Sequence, residues 1–434
     1  MSRKKSLVIL FPAIGLLEKQ TFCSPILSNF AFIEKEITPR RTNGFGDAQF
    51  IIGFNHGHSS IWSDKQNPGA LDTLKYLEEV FQKAPAICGS LLKDPKTVFL
   101  FHDPFESMIF PGREGFLTFL TYPVLDKIHE FSEQNNIDPG RIIYLVSEGG
   151  ENNKKPYYSY YEENSHKTPV KFAYYPCLEA RTANWFQSQH RTIEEIPEIN
   201  TGERKKKFLY LNKVPHHQRT DLCADLWFKG ILDDDFHWSF LASVKEFRQG
   251  TKKRIEGKCP GFCSSIPHLL DTPYRDSTGE IVNLNPESHG NALNYMNDSY
   301  ISLVSETTAG YGDHMTDQEP EKLPVFLTEK TFKCFPLKHP FVIWGYPRTL
   351  KAIKYLGYQT FSPWINEEYD EIDNYEDRMV AVREEVLRLK SMSLDEHQKM
   401  REEMMPILNH NYEHFNLSRI QKENDDLFRR ILNA

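Results

Sequence analysis

The chain has 434 residues, a formal net charge of −8, and contents of 39% hydrophobic, 26% charged and 13% aromatic residues. This length exceeds the ~100–200 residues of an ordinary domain, so two domains are expected. The composition excludes an intrinsically disordered chain, which would be poor in apolar and aromatic residues. The acidic balance also excludes a global attraction to nucleic acid or to anionic membranes, and leaves only local basic patches open.

The cysteines and the first residues bear on the compartment. Seven cysteines are present, and an odd number spread over a long chain argues against a disulfide framework. Pro12 and Gly15 interrupt the apolar start, which favours a buried first strand over a signal peptide. No stretch reaches the ~18–20 apolar residues of a membrane span. We therefore expect a cytoplasmic protein without a membrane span.

The first part of the chain predicts an α/β domain with a parallel sheet. Its short apolar runs are continuous rather than alternating, as in strands that are covered on both faces. Helical patterns lie between them at 71–84 and 122–136. The predicted strands are 7–11, 49–54, 97–101, 141–146 and 171–175.

Polar residues follow several of these strands, where parallel sheets place their ligands. His102, Asp103 and Glu106 follow the third predicted strand. His56 and Glu148 follow two of the other strands. For each residue, a helix cap or a loop hydrogen bond is the alternative interpretation.

A polar segment at 186–206 reads as a linker, after which the α/β pattern restarts. A helix is predicted at 217–234. The predicted strands of this second domain are 206–212, 236–242, 299–306, 340–345 and, last, 358–364.

Beyond residue 370 the sequence becomes charged and helix-forming, with predicted helices at 376–393, 394–415 and 417–432. The expected division is therefore residues 1–200, residues 201–372, and a helical segment over 373–434.

The segment Thr328-Glu329-Lys330 starts a predicted helix, which Pro336 keeps short before the strand at 340–345. Thr328 is a good N-cap, and the free N–H groups of a helix N-terminus attract a diphosphate. Lys330 adds a positive charge there, and the carboxylate of Glu329 can accept two hydrogen bonds from a vicinal diol such as a ribose. A capped helix whose side chains only face water is the alternative.

Two further polar clusters support the functional interpretation. The first follows the strand at 206–212 and consists of Asn212, Lys213, His216, His217 and Arg219. In the second, Glu306 with Thr307 ends the strand at 299–306. All three clusters are expected at the carboxyl edge of one sheet.

The order of these motifs resembles a family of glycosyltransferase-like proteins encoded by large phages and viruses. The Thr-Glu-Lys segment also resembles the nucleotide-binding motif of the α1,3-fucosyltransferases, although Thr331 stands where those enzymes carry an aliphatic residue. The resemblance covers roughly residues 205–372. It implies a GT-B fold, in which two Rossmann-like domains face a cleft and the C-terminal one holds the sugar nucleotide. It further implies that Glu329 binds the ribose, Lys330 the diphosphate, and Arg219 or Lys213 a phosphate across the cleft.

The expected function is a metal-independent glycosyltransferase that uses a nucleotide sugar as substrate, has no cofactor, and transfers to a hydroxyl group of a glycan or lipid. Asp103 is the first choice for the base that takes the acceptor proton, followed by Glu106 and His102. The triplet at 233–235 contains an Asp-x-Asp pattern but follows a predicted helix, so no metal is expected.

Two other functions stay open. The first is a phage DNA glycosyltransferase acting on hydroxymethylated bases, in which case the location is the host cytoplasm. The second is an inactive nucleotide-binding or structural protein.

Overall fold

The computed structural model divides the chain into two compact units. Unit 1 consists of Met1–Arg181, Glu321–Pro324 and Leu417–Ala434, and unit 2 of Thr182–Pro320 and Val325–Asn416. The structure describes residues 6–11, 49–55, 82, 92–93, 95, 97–103, 121–147, 154–175, 179–180, 182–183, 186, 203–213, 215–247, 250–268, 295–306, 325 and 327–433.

Unit 1 contains a parallel sheet whose five strands lie in chain order, β1-β2-β3-β4-β5. All five strands predicted from the apolar runs are confirmed. Their bounds are Ser6–Phe11 for β1, Gln49–Asn55 for β2, Thr97–Asp103 for β3, Ile142–Ser147 for β4 and Lys171–Tyr175 for β5. The register places Asp103, at the carboxyl end of β3, beside Val146 of β4.

Among the described residues of unit 1, the helices with defined bounds are α1 (Thr121–Gln134), α2 (Lys154–Glu163) and the C-terminal α10 (Leu417–Asn433). Phe131 of α1 packs edge-on against Phe99 and Phe101 of β3, with ring centroids 5.9 and 6.0 Å apart. The helix predicted at 122–136 is thus confirmed and covers the sheet. The helix predicted at 71–84 lies outside the described residues, except for residue 82, which is helical.

Unit 2 contains a second parallel sheet, with the strand order β7-β6-β8-β9. The bounds are Lys206–Asn212 for β6, Phe236–Phe240 for β7, Ser299–Ser305 for β8 and Phe341–Trp344 for β9, which confirms four predicted strands. Because β7 and β8 lie on opposite sides of β6, the winding reverses between β6 and β8. In α/β sheets, the crevice beyond the carboxyl ends of two such strands is the usual ligand site.

The helices of unit 2 surround this sheet. They are α3 (His217–Phe228), α4 (Thr251–Lys258), α5 (Phe262–Ser265), α6 (Glu329–Phe332), α7 (Thr349–Tyr355), α8 (Tyr375–Lys390) and α9 (Leu394–His414). The three C-terminal helices predicted from the sequence are confirmed as α8, α9 and α10. None of the described helices combines the length and the hydropathy that crossing a membrane requires.

The helix α3 is shorter than the predicted 217–234. It ends at Phe228, and Gly230 follows with a φ of 67°. This left-handed backbone conformation, which glycine adopts readily, turns the chain out of the helix.

The prediction of a strand at 358–364 is wrong. Residues 358–361 have no regular structure and 362–364 form a turn. The side chain of Asn411 on α9 accepts from the N–H of Gln359 at 2.8 Å and donates to its carbonyl at 2.9 Å. An amide side chain therefore satisfies the backbone groups that a neighbouring strand would otherwise pair.

The turn after α7 provides a test of this packing. Gly357 has a φ of 91°, and a Cβ there would lie 2.6 Å from Nε2 of His414. We expect Gly357→Ala to lower the free energy of unfolding by about 1–3 kcal/mol, because the side chain is both strained and crowded. The measurement is urea unfolding followed by circular dichroism.

Gly257 provides the matched control. It lies inside α4, with open space where a Cβ would stand, so Gly257→Ala should raise the free energy of unfolding by roughly 0.4–1 kcal/mol. Equal effects of the two substitutions would contradict the packing of α9 against this turn.

Candidate functional site

The predicted Thr-Glu-Lys turn forms the start of the short helix α6. Thr328 is its N-cap, and the side-chain oxygen of Thr328 accepts from the N–H of Lys330 at 3.3 Å. The ammonium group of Lys330 folds back and donates to Oγ1 of Thr328 at 2.7 Å and to Oε1 of Glu329 at 2.9 Å. The turn therefore presents a carboxylate and an ammonium group side by side.

Glu306, the residue directly after β8, holds this turn in place. Its carboxylate is completely buried and accepts from the N–H of Thr328 at 3.0 Å and from the Thr328 hydroxyl at 2.6 Å. The Thr331 hydroxyl donates to the same carboxylate at 2.5 Å. This contact gives a reason for a threonine at position 331, where the fucosyltransferases carry an aliphatic residue.

The sequence analysis placed Glu306 among the predicted donor-binding residues. Both of its carboxylate oxygens accept from protein donors, and its side chain has no exposed surface. The carboxylate of Glu306 therefore holds Thr328 and Thr331 in position.

The first turn of α3 completes the charged part of the site. Arg219 is 5% exposed, and its Nε donates to the backbone carbonyl of Glu306 at 3.4 Å. The indole N–H of Trp344, at the end of β9, donates to the carbonyl of Gln218 at 3.0 Å and ties this turn to the sheet. Two strand ends thus hold Arg219 beside the Thr328 turn.

The charges around Glu329 keep it ionised. Burial by itself would raise the pKa of Glu329, but the hydrogen-bonded ammonium of Lys330 and the charge of Arg219 outweigh this effect and lower the pKa to about 2. Lys333, one turn further along, interacts electrostatically with Glu329, and burial lowers the pKa of Lys333. The sequence analysis gave Lys333 no role, although its spacing of three residues from Lys330 places both on one side of the helix.

Asn212 lies at the carboxyl end of β6, beside the point where the winding reverses. Its side chain is 3% exposed and interacts with the hydroxyl of Tyr210, but neither amide atom has a hydrogen bond of good geometry in the described part of the chain. Buried amides are nearly always hydrogen-bonded, so an unsatisfied one indicates a place where a ligand or water completes the bonds. We call Asn212, Arg219, Thr328, Glu329 and Lys330 the reversal site.

His217 is a further polar residue near this site, and the sequence analysis placed it in the ligand-facing segment after β6. Its Nδ1 lies 3.3 Å from Nη2 of Arg254 and 3.3 Å from the hydroxyl of Thr251, both on α4. A guanidinium group can only donate, so Nδ1 of His217 accepts and the ring carries its proton on Nε2. Asp221 holds Arg254 in place through an ion pair. The helix α4 therefore fixes the tautomer of a histidine at the start of α3.

The other residues predicted from the sequence divide into three groups. Lys213 is exposed directly after β6. Thr307, Glu106, His56 and Glu148 lie outside the described residues, whereas His102 and Asp103 are described as backbone of β3 only.

The acidic triplet after α3 is engaged by lysines. Lys390 lies 2.6 Å from Asp233 and 3.2 Å from Asp235, and Lys207 lies 3.2 Å from Asp235. Over the described ranges, no group of three or more His, Cys, Asp or Glu side chains is arranged to hold a metal ion.

Comparisons with known proteins found structural likenesses only. No protein-family model matches the chain, and no curated protein matches its sequence. An α,α-trehalose 6-phosphate synthase from Burkholderia multivorans aligns over 100% of both chains with 13% identity and a TM-score of 0.42. A UDP-forming α,α-trehalose-phosphate synthase from Burkholderia vietnamiensis aligns over 100% of both chains with 12% identity and a TM-score of 0.44.

A third solved structure, Medicago truncatula UGT71G1 complexed with UDP-glucose, aligns over 98% of both chains with 11% identity and a TM-score of 0.32. These alignments show a distant similarity in the path of the backbone, and they assign no activity to this chain.

The positioning role of Glu306 predicts a loss of stability when its carboxylate is removed. Glu306→Ala leaves the N–H of Thr328 and two hydroxyl groups without their acceptor, so the free energy of unfolding should fall by at least about 3 kcal/mol. Glu306→Gln keeps one acceptor and should lose less. Chemical unfolding monitored by tryptophan fluorescence measures both.

The control is Glu402→Ala, which removes an exposed glutamate of α9 and should change the free energy of unfolding by no more than about 0.5 kcal/mol. A Glu306→Ala protein as stable as this control would show that Glu306 does not hold the turn.

Proposed function

We propose that the protein is a glycosyltransferase that moves a sugar from a nucleotide-sugar donor to a hydroxyl group without a metal ion. The observation that carries the proposal is the position of the Glu329–Lys330 turn where the winding of the unit 2 sheet reverses, close to the unsatisfied amide of Asn212. This is the place where α/β sheets bind nucleotides.

The reversal site offers complementary groups for the two ends of a nucleoside diphosphate. Glu329 stays ionised at neutral pH because of Lys330 and Arg219, and an ionised carboxylate accepts two hydrogen bonds from a ribose diol. Lys330 now donates to oxygens of Thr328 and Glu329, and a diphosphate can take over these bonds without a large movement of the side chain.

The same cations suit the chemistry of glycosyl transfer. Negative charge builds up on the leaving diphosphate as the bond to the sugar breaks, and fixed positive charges stabilise that transition state. Lys330, Lys333 and Arg219 provide three cationic groups within reach of Glu329. Lys213, which the sequence analysis also assigned to a phosphate, is exposed directly after β6.

Two observations support transfer without a metal ion. Side-chain cations are available to stabilise the leaving diphosphate, and the acidic triplet is paired with lysines. Asp233 and Asp235 are neutralised by Lys390, and Lys207 adds a second ion pair to Asp235. A metal-binding role would require these ion pairs to break.

The donor site generates the first functional prediction. Lys330→Ala should weaken binding of a nucleoside diphosphate by about tenfold or more and leave binding of the nucleoside nearly unchanged, because a charge-assisted bond to phosphate is worth about 1.5–3 kcal/mol. A thermal-shift screen with UDP, GDP, ADP and CMP selects the nucleotide, and calorimetry with that nucleotide and its nucleoside gives both affinities.

Lys399→Ala, which removes an exposed charge from α9, should leave both affinities intact. Equal weakening of nucleotide and nucleoside by Lys330→Ala would place Lys330 outside the phosphate site. Tight nucleotide binding without transfer to any glycan, lipid or hydroxymethylated DNA acceptor would instead favour an inactive nucleotide-binding protein.

The acceptor base is assigned to unit 1. Asp103 is the last residue of β3, at the edge of the sheet where parallel strands present their ligands. An ionised aspartate that takes the acceptor proton as the new bond forms contributes about 10²–10⁴ in rate. Asp103→Asn should therefore lower kcat at least about a hundredfold and leave nucleotide affinity unchanged.

Asp138→Asn is the control, because Asp138 caps the turn that precedes β4, at the opposite end of the strands. Full activity of Asp103→Asn together with an inactive Glu106→Gln or His102→Ala protein would move the base to one of the other two predicted residues.

A further inference from the structure

A buried histidine joins the helices α1 and α2 of unit 1. His129 of α1 is 4% exposed, and its Nε2 atom lies 3.0 Å from the hydroxyl of Tyr161 on α2. The same hydroxyl accepts from the N–H of Val170, the residue directly before β5, at 3.1 Å. The hydroxyl of Tyr157, also on α2, donates to the carbonyl of Val170. One chain of contacts therefore runs from α1 through α2 to the start of β5.

The hydrogen bonds indicate where the protons of this chain of contacts lie. Burial raises the pKa of Tyr161 to about 12, so its hydroxyl keeps its proton. Because that hydroxyl already accepts from Val170, its own hydrogen is available to Nε2 of His129. Nε2 therefore carries the lone pair, and His129 is a neutral imidazole with its proton on Nδ1. A second proton, on Nε2, would turn this acceptor into a donor that faces another donor.

The surroundings of His129 also disfavour a charged ring. Burial is the largest effect that lowers the pKa of His129, and the charge of Lys167 adds to it. His166, in the turn after α2, lowers the pKa further, whereas the carboxylates of Glu133 and Asp126 on α1 raise it. The two carboxylates do not outweigh burial and the lysine, so the pKa of His129 stays below its ordinary value of about 6.5.

A second set of contacts joins the same two helices and responds to acid differently. The hydroxyl of Tyr160 on α2 donates to Oδ1 of Asp126 on α1 at 2.6 Å, and the ammonium of Lys167 donates to the same oxygen at 2.7 Å. Burial by itself would raise the pKa of Asp126, but these two bonds outweigh burial and lower the pKa below its ordinary value of about 3.9. The carboxylate therefore stays ionised over the mildly acidic range in which a histidine titrates.

We propose that His129 is an acid-sensitive latch, which releases α2 and the start of β5 from α1 when its ring takes up a proton. In neutral solution the uncharged ring accepts from Tyr161, and the latch is closed. In acid, the closed form resists a proton that the released chain binds readily, so release is favoured. The contacts of Asp126 persist, so α2 loosens locally while unit 1 stays folded. The latch does not depend on the proposed transferase activity.

The direction of the pH dependence follows from the lowered pKa of His129. In the released chain, the pKa of this histidine returns to about 6.5. The stabilisation that the latch provides is therefore complete above about pH 6.5, and it is lost as the pH falls through the lower pKa of the closed form. Loss of the Asp126 contacts has the same sign but begins only below about pH 3.9. The effect of His129 thus begins at a higher pH than that of Asp126.

Hydrogen–deuterium exchange of the full chain at pH 7.5, 6.5 and 5.5 tests the proposal, with exchange times corrected for the intrinsic effect of pH. The protection of peptides from α2 and from residues 165–171 should fall about threefold or more between pH 7.5 and 5.5. His129→Gln keeps an oxygen that can accept from Tyr161 but cannot take up a proton, so its protection should not change. The matched control is His166→Gln, which removes an exposed histidine of the neighbouring turn and should behave as the wild-type protein.

Three results would overturn the proposal. The first is wild-type protection that stays constant between pH 7.5 and 5.5. The second is an equal fall in His129→Gln and the wild-type protein, and the third is a fall that His166→Gln abolishes. If His129→Gln does not fold, Tyr161→Phe decides, because it removes the hydroxyl that donates to His129. Its protection should depend less on pH than that of the wild-type protein, and an undiminished fall would contradict the latch.

Discussion

The carboxylate of Glu306 is the contact on which the geometry of the reversal site in unit 2 depends. This carboxylate accepts hydrogen bonds from the backbone N–H and the hydroxyl of Thr328 and from the hydroxyl of Thr331. The backbone N–H of Glu306 donates to the carbonyl of Trp344 on β9. The backbone carbonyl of Glu306 accepts from the guanidinium group of Arg219 on α3. One residue thus joins two strands and two helices. A buried carboxylate is tolerated only when donors surround it, and here every donor belongs to the site that it positions.

This anchoring explains how a helix of only four residues can present functional groups. A helix as short as α6 has no stability of its own, because the first turn costs more conformational entropy than its hydrogen bonds return. The bonds from Thr328 and Thr331 to Glu306 replace the missing length. The Glu329–Lys330 pair is therefore held at a fixed position, and for the proposed nucleotide-sugar donor this order would reduce the entropic cost of binding.

The two ends of the unit 2 sheet differ in how their charges are balanced. At the carboxyl edge, Glu329 compensates Lys330 at 2.9 Å, and both side chains keep contact with solvent. At the amino edge, Arg204 and Arg401 are both buried and repel each other. Strands β6 and β8 have seven residues each and connect the two edges over roughly 20 Å. The two differently balanced edges thus belong to the same pair of strands.

The sequence by itself determined the features that depend on near neighbours in the chain. Continuous apolar runs located nine strands, and Thr328 was recognisable as an N-cap because the group that it caps is two residues away. Only the tertiary structure decided the order β7-β6-β8-β9, and with it the reversal that places Asn212 at the candidate site. The partners of Glu306 are 22 and 25 residues distant in the chain, and the amide of Asn411 that replaced a predicted strand at Gln359 is 52 residues away. Hydrogen bonds over such distances leave no period in the sequence, because they form only when the packing of helices on the sheet brings the groups together.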